Sequence, residues 1–226
     1  MASQFPNAMT SRQRGTASSR NGKAFLFAKR AIDLVGASLA LVVLLPVVVV
    51  VCVVVKLGSP GTVLFRQKRL GKGGVPFTLY KFRTMRDGAP PVRNADGSAF
   101  VGAGDPRLTR AGRFLRDSTL DEIPQLVNVL KGDMSLVGPR PDLLEQLELY
   151  DDLMRRKLEV KPGMASLSLV HGRNSLAWYK RAELDVYYVD HRSLLLDAKV
   201  FLMALLMVLL RRGVYYPVDY EGDIRN

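Results

Sequence analysis

The feature that most constrains this chain is an uninterrupted run of 22 uncharged, mostly apolar residues at positions 34–55. As a helix the run would be about 33 Å long at ~1.5 Å per residue, which matches the ~30 Å hydrocarbon core of a bilayer. Few small domains can surround so many apolar residues, so a membrane helix is favoured over a buried helix of a soluble domain. The run comes too late and is too long for a secretory signal peptide.

Two details of the run favour a re-entrant helix over a simple span. Pro46 lies just past the midpoint, where the missing backbone donor predicts a kink. Basic residues flank both ends, Lys29 and Arg30 before the run and Lys56 after it, so both ends prefer the cytoplasmic side. A helix that bends at Pro46 and leaves by the face it entered satisfies both ends. We therefore predict this hairpin, with a kinked span as the alternative.

The charge distribution divides the rest of the chain. The net charge is +12, and residues 1–30 hold six Lys or Arg and no acid. We predict a disordered basic tail at 1–22, the membrane helix at 23–57, a cytosolic domain at 58–215 and a C-terminal tail at 216–226. One Cys and two His exclude a disulfide framework and give no sign of a Cys- or His-based metal cluster.

The cytosolic domain is predicted to be α+β and mostly helical. Residues 62–69 and 76–85 are rich in β-branched and aromatic residues and are separated by glycines, which is typical of a short β-hairpin. A second apolar stretch, at 200–210, is too short to span a bilayer and is followed by two arginines. We predict that it lies in the membrane interface as an amphipathic helix, and an ordinary core helix is the alternative.

An adjacent acid pair, Asp121 and Glu122, precedes a predicted helix. Apolar residues recur at helical spacing over 123–130, and Gly132 supplies a stop signal. If Pro124 lies in the first turn, both acids fall at the helix N-terminus, where the macrodipole favours ionised carboxylates. An ionised aspartate there can act as a nucleophile or bind a metal, and a simple helix cap is the alternative.

Several cations add to this pattern. Arg140 stands between two prolines, which restrict its backbone and suit a bidentate phosphate contact. Arg116 precedes the acid pair by five residues, and Lys81 and Arg83 alternate on the second strand and would share a face. Each alone is typical of a solvated surface charge. Together with two carboxylates they indicate a Mg²⁺-assisted phosphoryl-transfer site.

The order of several longer motifs points to a known family. The motifs are KRAIDLVGA at 29–37, SPGTVLFRQKRLGKGG at 59–74, YKFRTM at 80–85, LTRAGRFLRDSTLDEIPQLVNVLKGDMSLVGPRP at 108–141, VKPGM at 160–164, HGRNSLAWYKRAELDVYYV at 171–189 and LLLDAKV at 194–200. With the Pro-centred apolar helix, this order resembles the small monotopic phosphoglycosyl transferases, also called bacterial sugar transferases. The resemblance covers roughly residues 25–215.

The resemblance implies an enzyme that moves a sugar-1-phosphate from a nucleotide sugar, usually a UDP-sugar, to a polyprenol phosphate such as undecaprenyl phosphate. It implies release of UMP, a need for Mg²⁺, and attachment to the cytoplasmic face of the bacterial inner membrane. Such a reaction is the first membrane step of a glycan or exopolysaccharide pathway. The sugar, the pathway and any homo-oligomeric state stay open.

The resemblance also assigns roles to particular residues. Asp121 would be the nucleophile that forms a covalent phosphosugar-aspartyl intermediate, and Glu122 would sit with it around Mg²⁺. Arg116 and Arg140 fall on the family's phosphate-binding arginines. Lys81 matches a basic strand position and is a weaker correspondence.

The chain departs from the family pattern in two places. Pro46 matches the helix-breaking proline, but Leu45 stands where the family often has Ser. The segment 165–171 lacks the Trp, Gln and Asn that the family usually carries after VKPGM. If that segment recognises the nucleotide or the sugar, the donor is atypical, and His171 is either a substrate contact or a surface histidine.

Two other classes of protein compete with this interpretation. The high pI and the basic tail are typical of a nucleic-acid-binding protein, but the apolar run and the lack of aromatic platforms argue against nucleic acid as a partner. A catalytically silent membrane adaptor would use the same basic residues on anionic lipids. The intact acid pair favours the enzyme.

Overall fold

The computed structural model describes residues 22–92, 105–172 and 176–210. Nearly all of the predicted basic tail and all of the predicted C-terminal tail at 216–226 lie outside these residues. The described helices are α1 (Lys23–Gly58), α2 (Arg110–Asp117), α3 (Gln125–Lys131), α4 (Asp152–Arg155), α5 (Leu167–Val170), α6 (Trp178–His191) and α7 (Leu194–Leu209). Short 3₁₀ turns cover Lys72–Gly74, Leu120–Glu122, Leu144–Leu149 and Arg156–Glu159.

The strands in the described residues form two small sheets. β1 (Leu64–Leu70) and β2 (Pro76–Phe82) pair antiparallel around a glycine-containing turn, which confirms the predicted hairpin. β3 (Ser135–Val137) and β4 (Gly163–Ala165) form a parallel pair that the sequence did not predict. With these four short strands among longer helices, the described chain is mostly helical with a small β component, as predicted.

Helix α1 is the one described helix that is long and apolar enough to cross a membrane, judged by length and composition. Pro46 lies inside it, and the helix continues through this residue, so the predicted break does not end the helix. Side chains near the middle, such as Val42 and Leu45, are largely exposed, as expected of residues that face lipid. The path of α1 through a bilayer stays a prediction.

Both halves of α1 pack against the same hydrophobic core. Ala37, from the first half, and Val51 and Val55, from the second, are buried in one cluster with apolar residues of β2, α2 and α3. The helix is therefore fixed to the body on either side of Pro46.

The N-terminal half of α1 is also fixed by polar contacts. Arg30 donates to the carbonyl of Val129 at 2.7 Å and to the next carbonyl at 2.9 Å, near the C-terminal end of α3. A guanidinium there satisfies free carbonyls and complements the helix dipole. The buried Asp33 accepts a hydrogen bond from the backbone of Leu136 at 2.9 Å and from the hydroxyl of Ser135 at 3.0 Å. These contacts bind α1 directly to β3.

Helix α7 begins at Leu194, six residues before the predicted apolar stretch, because Ser193 caps it by accepting a hydrogen bond from Leu196. Val200 is buried against the body, while leucines on the opposite side are exposed. The helix thus keeps an uncovered apolar surface, and its predicted place in the membrane interface remains untested.

Candidate active site

A cleft of about 1170 Å³ opens beside the β-hairpin and contains the candidate chemistry. The five residues that were predicted to form the site all line it, although they come from four separate parts of the chain. They are Lys81 on β2, Arg116 on α2, the acid pair Asp121 and Glu122, and Arg140 in the loop after β3. Folding therefore brings into one cleft the five residues that the sequence indicated as a site.

The acid pair lies in the 3₁₀ turn Leu120–Glu122, just before Pro124 and the start of α3. The prediction placed both acids at the helix N-terminus, and the turn differs from this only in being a separate short element. Thr119 enters the turn with a φ of +60°, a left-handed conformation that is uncommon for a residue with a side chain. Asp121 and Glu122 are each only 7% exposed, so the body holds both carboxylates at the wall of the cleft.

Two cations contact Glu122. The Lys81 ammonium lies 2.7 Å from Oε1 of Glu122, and the Arg140 guanidinium lies 3.4 Å from the same oxygen. Burial lowers the pKa of Arg140, but the negative charges of Glu122, Asp185 and Asp121 outweigh this and raise it above its ordinary value. Arg140 therefore stays positively charged beside both carboxylates.

Arg116 approaches the cleft from α2. Its Nε donates to the Thr84 hydroxyl at 3.0 Å, so the side chain is held next to the end of the hairpin. Helix α2 reaches this position because Gly112 packs directly on the strand-end backbone: an added Cβ would lie 1.8 Å from the Thr84 carbonyl oxygen. A glycine is thus required for the approach that places Arg116.

Arg83 lies one residue beyond the end of β2 and borders the cleft together with Lys81, as predicted for residues that share a strand face. It is buried, and its guanidinium donates to the backbone carbonyl of Ser59 at 2.8 Å and to that of Pro60. Arg83 therefore braces the connection between α1 and β1, although its side chain also borders the cleft.

The charge on the cleft wall suits an anionic ligand. Among the described residues, ten Lys or Arg line it against four Asp or Glu, a surplus of six positive charges. Concentrated positive charge raises the local concentration of anions such as diphosphates. The basic residues are Arg66, Lys68, Arg69, Lys81, Arg83, Arg86, Arg107, Arg116, Arg140 and Arg181.

A buried ionic network supports the backbone of Arg140 from below. The Arg140 amide donates to Asp185 at 3.0 Å, and Lys157 lies 3.6 Å from the same carboxylate oxygen. Lys157 also pairs with Asp142, which accepts a hydrogen bond from the Tyr150 hydroxyl at 2.6 Å. The network therefore fixes the loop that presents the cleft arginine.

Burial raises the pKa of each carboxyl in this network, but with different net results. In Asp142 the charge and hydrogen bond of Lys157 outweigh burial, and the pKa falls below its ordinary value. In Asp185 burial prevails and the pKa rises. Burial also lowers the pKa of Lys157, yet the two carboxylates outweigh it and raise the pKa above 10.5.

Sequence reasoning did not single out this network. A signal was present in α6, where Asp185 falls at helical spacing with the buried Ala182 and Val189. A charged residue on an apolar helix face has to find a partner or change its pKa, so its position indicates a buried ion pair.

The atypical segment 165–171 does not border the cleft. Leu167, Ser168 and Leu169 are buried in the body, and the Ser168 amide faces Asp185 at 3.4 Å. His171 is exposed, and its Nδ1 lies 2.9 Å from the carbonyl oxygen of Leu167. Because none of these residues is among those that line the cleft, the surface interpretation of His171 is favoured over a substrate contact.

The acid pair suits a magnesium ion that is shared with a substrate. Among the described residues no group of three or more His, Cys, Asp or Glu could hold a metal alone. Mg²⁺ commonly binds through one or two carboxylates together with substrate phosphates. Asp121 and Glu122 offer two carboxylates on the wall of an anion-attracting cleft, and this donor set fits such an ion.

The geometry therefore defines a class of site: paired carboxylates among cations, in a cleft suited to phosphate groups and joined to an apolar helix. The family model for bacterial sugar transferases matches residues 24–211 of this chain. The chain belongs to the bacterial sugar transferase family.

Individual relatives agree with this assignment. The sugar transferase EpsL of Bacillus subtilis is 48% identical over 159 residues, which are 70% of this chain and 75% of EpsL. The exopolysaccharide production protein ExoY of Sinorhizobium fredii is 36% identical over 83% of this chain and 88% of its own length. The UDP-glucose:undecaprenyl-phosphate glucose-1-phosphate transferase of Caulobacter vibrioides is 37% identical over 83% of this chain and 72% of its own length.

These comparisons confirm the predicted family and the prediction of a transferase enzyme. Some relatives are longer: the chain spans 43% of the galactosyl transferase CpsE of Streptococcus agalactiae, at 38% identity. The roles assigned to individual site residues remain predictions, although the structure places all five in one cleft.

The buried network leads to a stability prediction. Lys157→Met should lower the free energy of unfolding by about 3–5 kcal/mol, because two buried carboxylates lose their shared cation. The wild type should also lose stability as the pH rises through the elevated pKa of Lys157, above 10.5, and the variant should lack this loss. Thermal and denaturant unfolding of the detergent-solubilised protein measure both effects.

The matched control is Lys180→Met. Lys180 forms an exposed pair with Glu183 at 2.6 Å, with side-chain exposures of 57% and 37%. Such a pair contributes about 1 kcal/mol or less. Equal stability of the Lys157 and Lys180 variants would contradict the proposed importance of the network.

Proposed function

We propose that this protein transfers a sugar-1-phosphate from a UDP-sugar to a polyprenol phosphate and releases UMP, as the first membrane step of a bacterial glycan pathway. The observation that carries the proposal is the meeting of Asp121 and Glu122 with Lys81 and Arg140 in one positively charged cleft. Family membership and the activity named for the Caulobacter relative support the same reaction.

The reaction proceeds in two displacements at one phosphorus atom. First, an Asp121 carboxylate oxygen attacks the sugar-bearing phosphorus of the donor, and the bond from that phosphorus to the bridging oxygen breaks. UMP leaves with the electron pair, and an acyl phosphate links the sugar phosphate to Asp121. Second, a phosphate oxygen of the polyprenol phosphate attacks the same phosphorus. The Asp121 carboxylate then leaves, and the product is a polyprenyl diphosphate sugar.

The cations have separate roles in these steps. Arg140, held through its own amide by Asp185, stabilises charge on the phosphoryl oxygens in both displacements. Lys81 neutralises Glu122 next to the nucleophile, so that two adjacent carboxylates and an anionic donor can occupy one wall. Arg116, anchored on Thr84, binds the departing nucleotide phosphate or the incoming acceptor phosphate.

Mg²⁺ is proposed as the cofactor, held by Asp121 and Glu122 together with donor phosphate oxygens. When bound, it supplies Lewis-acid neutralisation of the diphosphate. Lys81 and Arg140 already contact Glu122. Mg²⁺ would therefore bind beside these two cations and would not replace them. Asp121 lines the same cleft and is proposed as the group that attacks the phosphorus.

The membrane helix is proposed to be re-entrant, with both ends on the cytoplasmic face of the inner membrane. Two features support this topology: basic flanks on both sides, and the attachment of both halves of α1 to one cytosolic core. A straight span would have to carry the second flank, with Val51 and Val55, away from that core. The hairpin keeps the cleft at headgroup height, where a polyprenol phosphate presents its phosphate.

Asp121→Asn tests the reaction. The amide keeps the size of the side chain but cannot serve as the anionic nucleophile, so UMP release from UDP-glucose with undecaprenyl phosphate should fall by about three orders of magnitude or more. Membrane association should not change, and EDTA should stop the wild-type reaction. The control is Asp152→Asn, an exposed acid at the start of α4, which should retain full activity. Activity of Asp121→Asn close to that of the wild type would refute the mechanism.

Cysteine accessibility tests the topology. In a Cys52→Ser background, Ala24→Cys and Leu57→Cys place single thiols at the exposed flanks of α1. Because a re-entrant helix returns to the side it entered, an impermeant maleimide should label both thiols in inside-out vesicles and neither in right-side-out vesicles. Labelling of the two thiols from opposite sides would instead show a span.

A further inference from the structure

One buried amide in the cleft is not used by the mechanism above. Gln146 lies in the 3₁₀ turn Leu144–Leu149, six residues after Arg140, and lines the same cleft as the acid pair. It is 3% exposed, so its side chain is removed from bulk water. A glutamine in this position has to satisfy both ends of its amide within the protein or with a ligand.

The orientation of this amide is fixed by the backbone. Oε1 of Gln146 accepts a hydrogen bond from the Leu143 amide at 2.9 Å, and only the oxygen of a carboxamide can accept. Nε2 is therefore the remaining end. Within residues 22–92, 105–172 and 176–210, this buried nitrogen has no hydrogen-bond partner.

A buried donor without a partner is costly, by roughly 1–3 kcal/mol in general. A leucine at position 146 would fill a similar volume without leaving a buried donor unpaired. The hydrogen bond from Leu143 satisfies the amide oxygen of Gln146 but leaves the amide nitrogen without an acceptor. A ligand in the cleft that presents an acceptor oxygen would satisfy that nitrogen.

The neighbouring side chains agree with a ligand contact. Asp142 and Trp178 also line the cleft, and the indole nitrogen of Trp178 lies 3.5 Å from Oδ1 of Asp142. The indole is further held against the Tyr150 ring, with centroids 6.0 Å apart. A fixed aromatic ring and an amide donor in the lining of one cleft suit the uncharged, oxygen-bearing part of a nucleotide sugar.

We propose that the Gln146 amide donates a hydrogen bond to an acceptor oxygen of the nucleotide-sugar donor and so contributes to donor selection. This inference rests on the proposed function, because it takes the donor to be a UDP-sugar. A sugar hydroxyl and an oxygen of the nucleotide offer the same chemistry to the amide. A site built to donate one hydrogen bond discriminates against donors that lack the matching oxygen.

Two substitutions separate a ligand contact from a bracing role. Gln146→Glu, studied at pH 8, keeps an oxygen for the Leu143 amide and removes the donor. Gln146→Leu removes both. Trp178 is the only tryptophan of the chain and lines the same cleft, so its fluorescence reports binding directly. The full chain in detergent with Mg²⁺ is titrated with UDP-glucose and with UDP, and thermal unfolding is measured in parallel.

We expect both variants to bind UDP-glucose about tenfold more weakly than the wild type. A loss with UDP-glucose but not with UDP assigns the contact to the sugar, and a loss with both assigns it to the nucleotide. Unchanged binding by Gln146→Glu overturns the inference, whether or not Gln146→Leu is less stable. If the wild type binds neither probe, the proposed function fails and the inference fails with it.

Discussion

The structure depends on one ionic contact, in which Glu122 meets both Lys81 and Arg140. This contact joins the β-hairpin, the turn before α3 and the loop after β3. Removing Glu122 would leave two partly buried cations without their shared carboxylate, which is more costly than losing an exposed pair. The same arrangement gathers the carboxylates and cations that a phosphoryl-transfer site needs.

A second constraint couples this site to the apolar helix α1. Lys29 donates to the Val137 carbonyl at 3.0 Å and pairs with Asp197 of α7 at 2.6 Å. The Tyr188 hydroxyl donates to the same Asp197 at 2.6 Å. With Arg30 on α3, these contacts tie α1 to elements that immediately precede Arg140. The position of the cleft relative to helix α1 is therefore set by packing and hydrogen bonds, and not by a flexible linker.

Much of the site could be predicted because its parts are local in sequence. The acid pair lies next to a helix start, and prolines on both sides of Arg140 restrict its backbone. The hairpin followed from residue types and glycines. In each case a few neighbouring residues determine the conformation, so periodicity and turn signals were sufficient.

Long-range features were harder to predict. Lys81 reaches Glu122 across 41 residues, and no local signal chooses Glu122 over Asp121 as its partner. The bonds from Arg83 to the Ser59 and Pro60 carbonyls, which join residues more than 20 positions apart, were not predicted. Asp185 and Lys157 are paired only by the packing of α6 on the turn at Arg156–Glu159. Such pairs depend on tertiary contacts that a single sequence does not encode in any short pattern.

The central claim is that Asp121 carries the sugar phosphate between donor and acceptor. Intact-protein and peptide mass spectrometry test it most directly, on the purified chain mixed with UDP-glucose and Mg²⁺ without polyprenol phosphate. The account predicts the mass of a hexose phosphate on the peptide that contains Asp121, and its loss when undecaprenyl phosphate is added. Steady UMP release to the acceptor with no adduct at any time, or an adduct on another residue, would contradict the account.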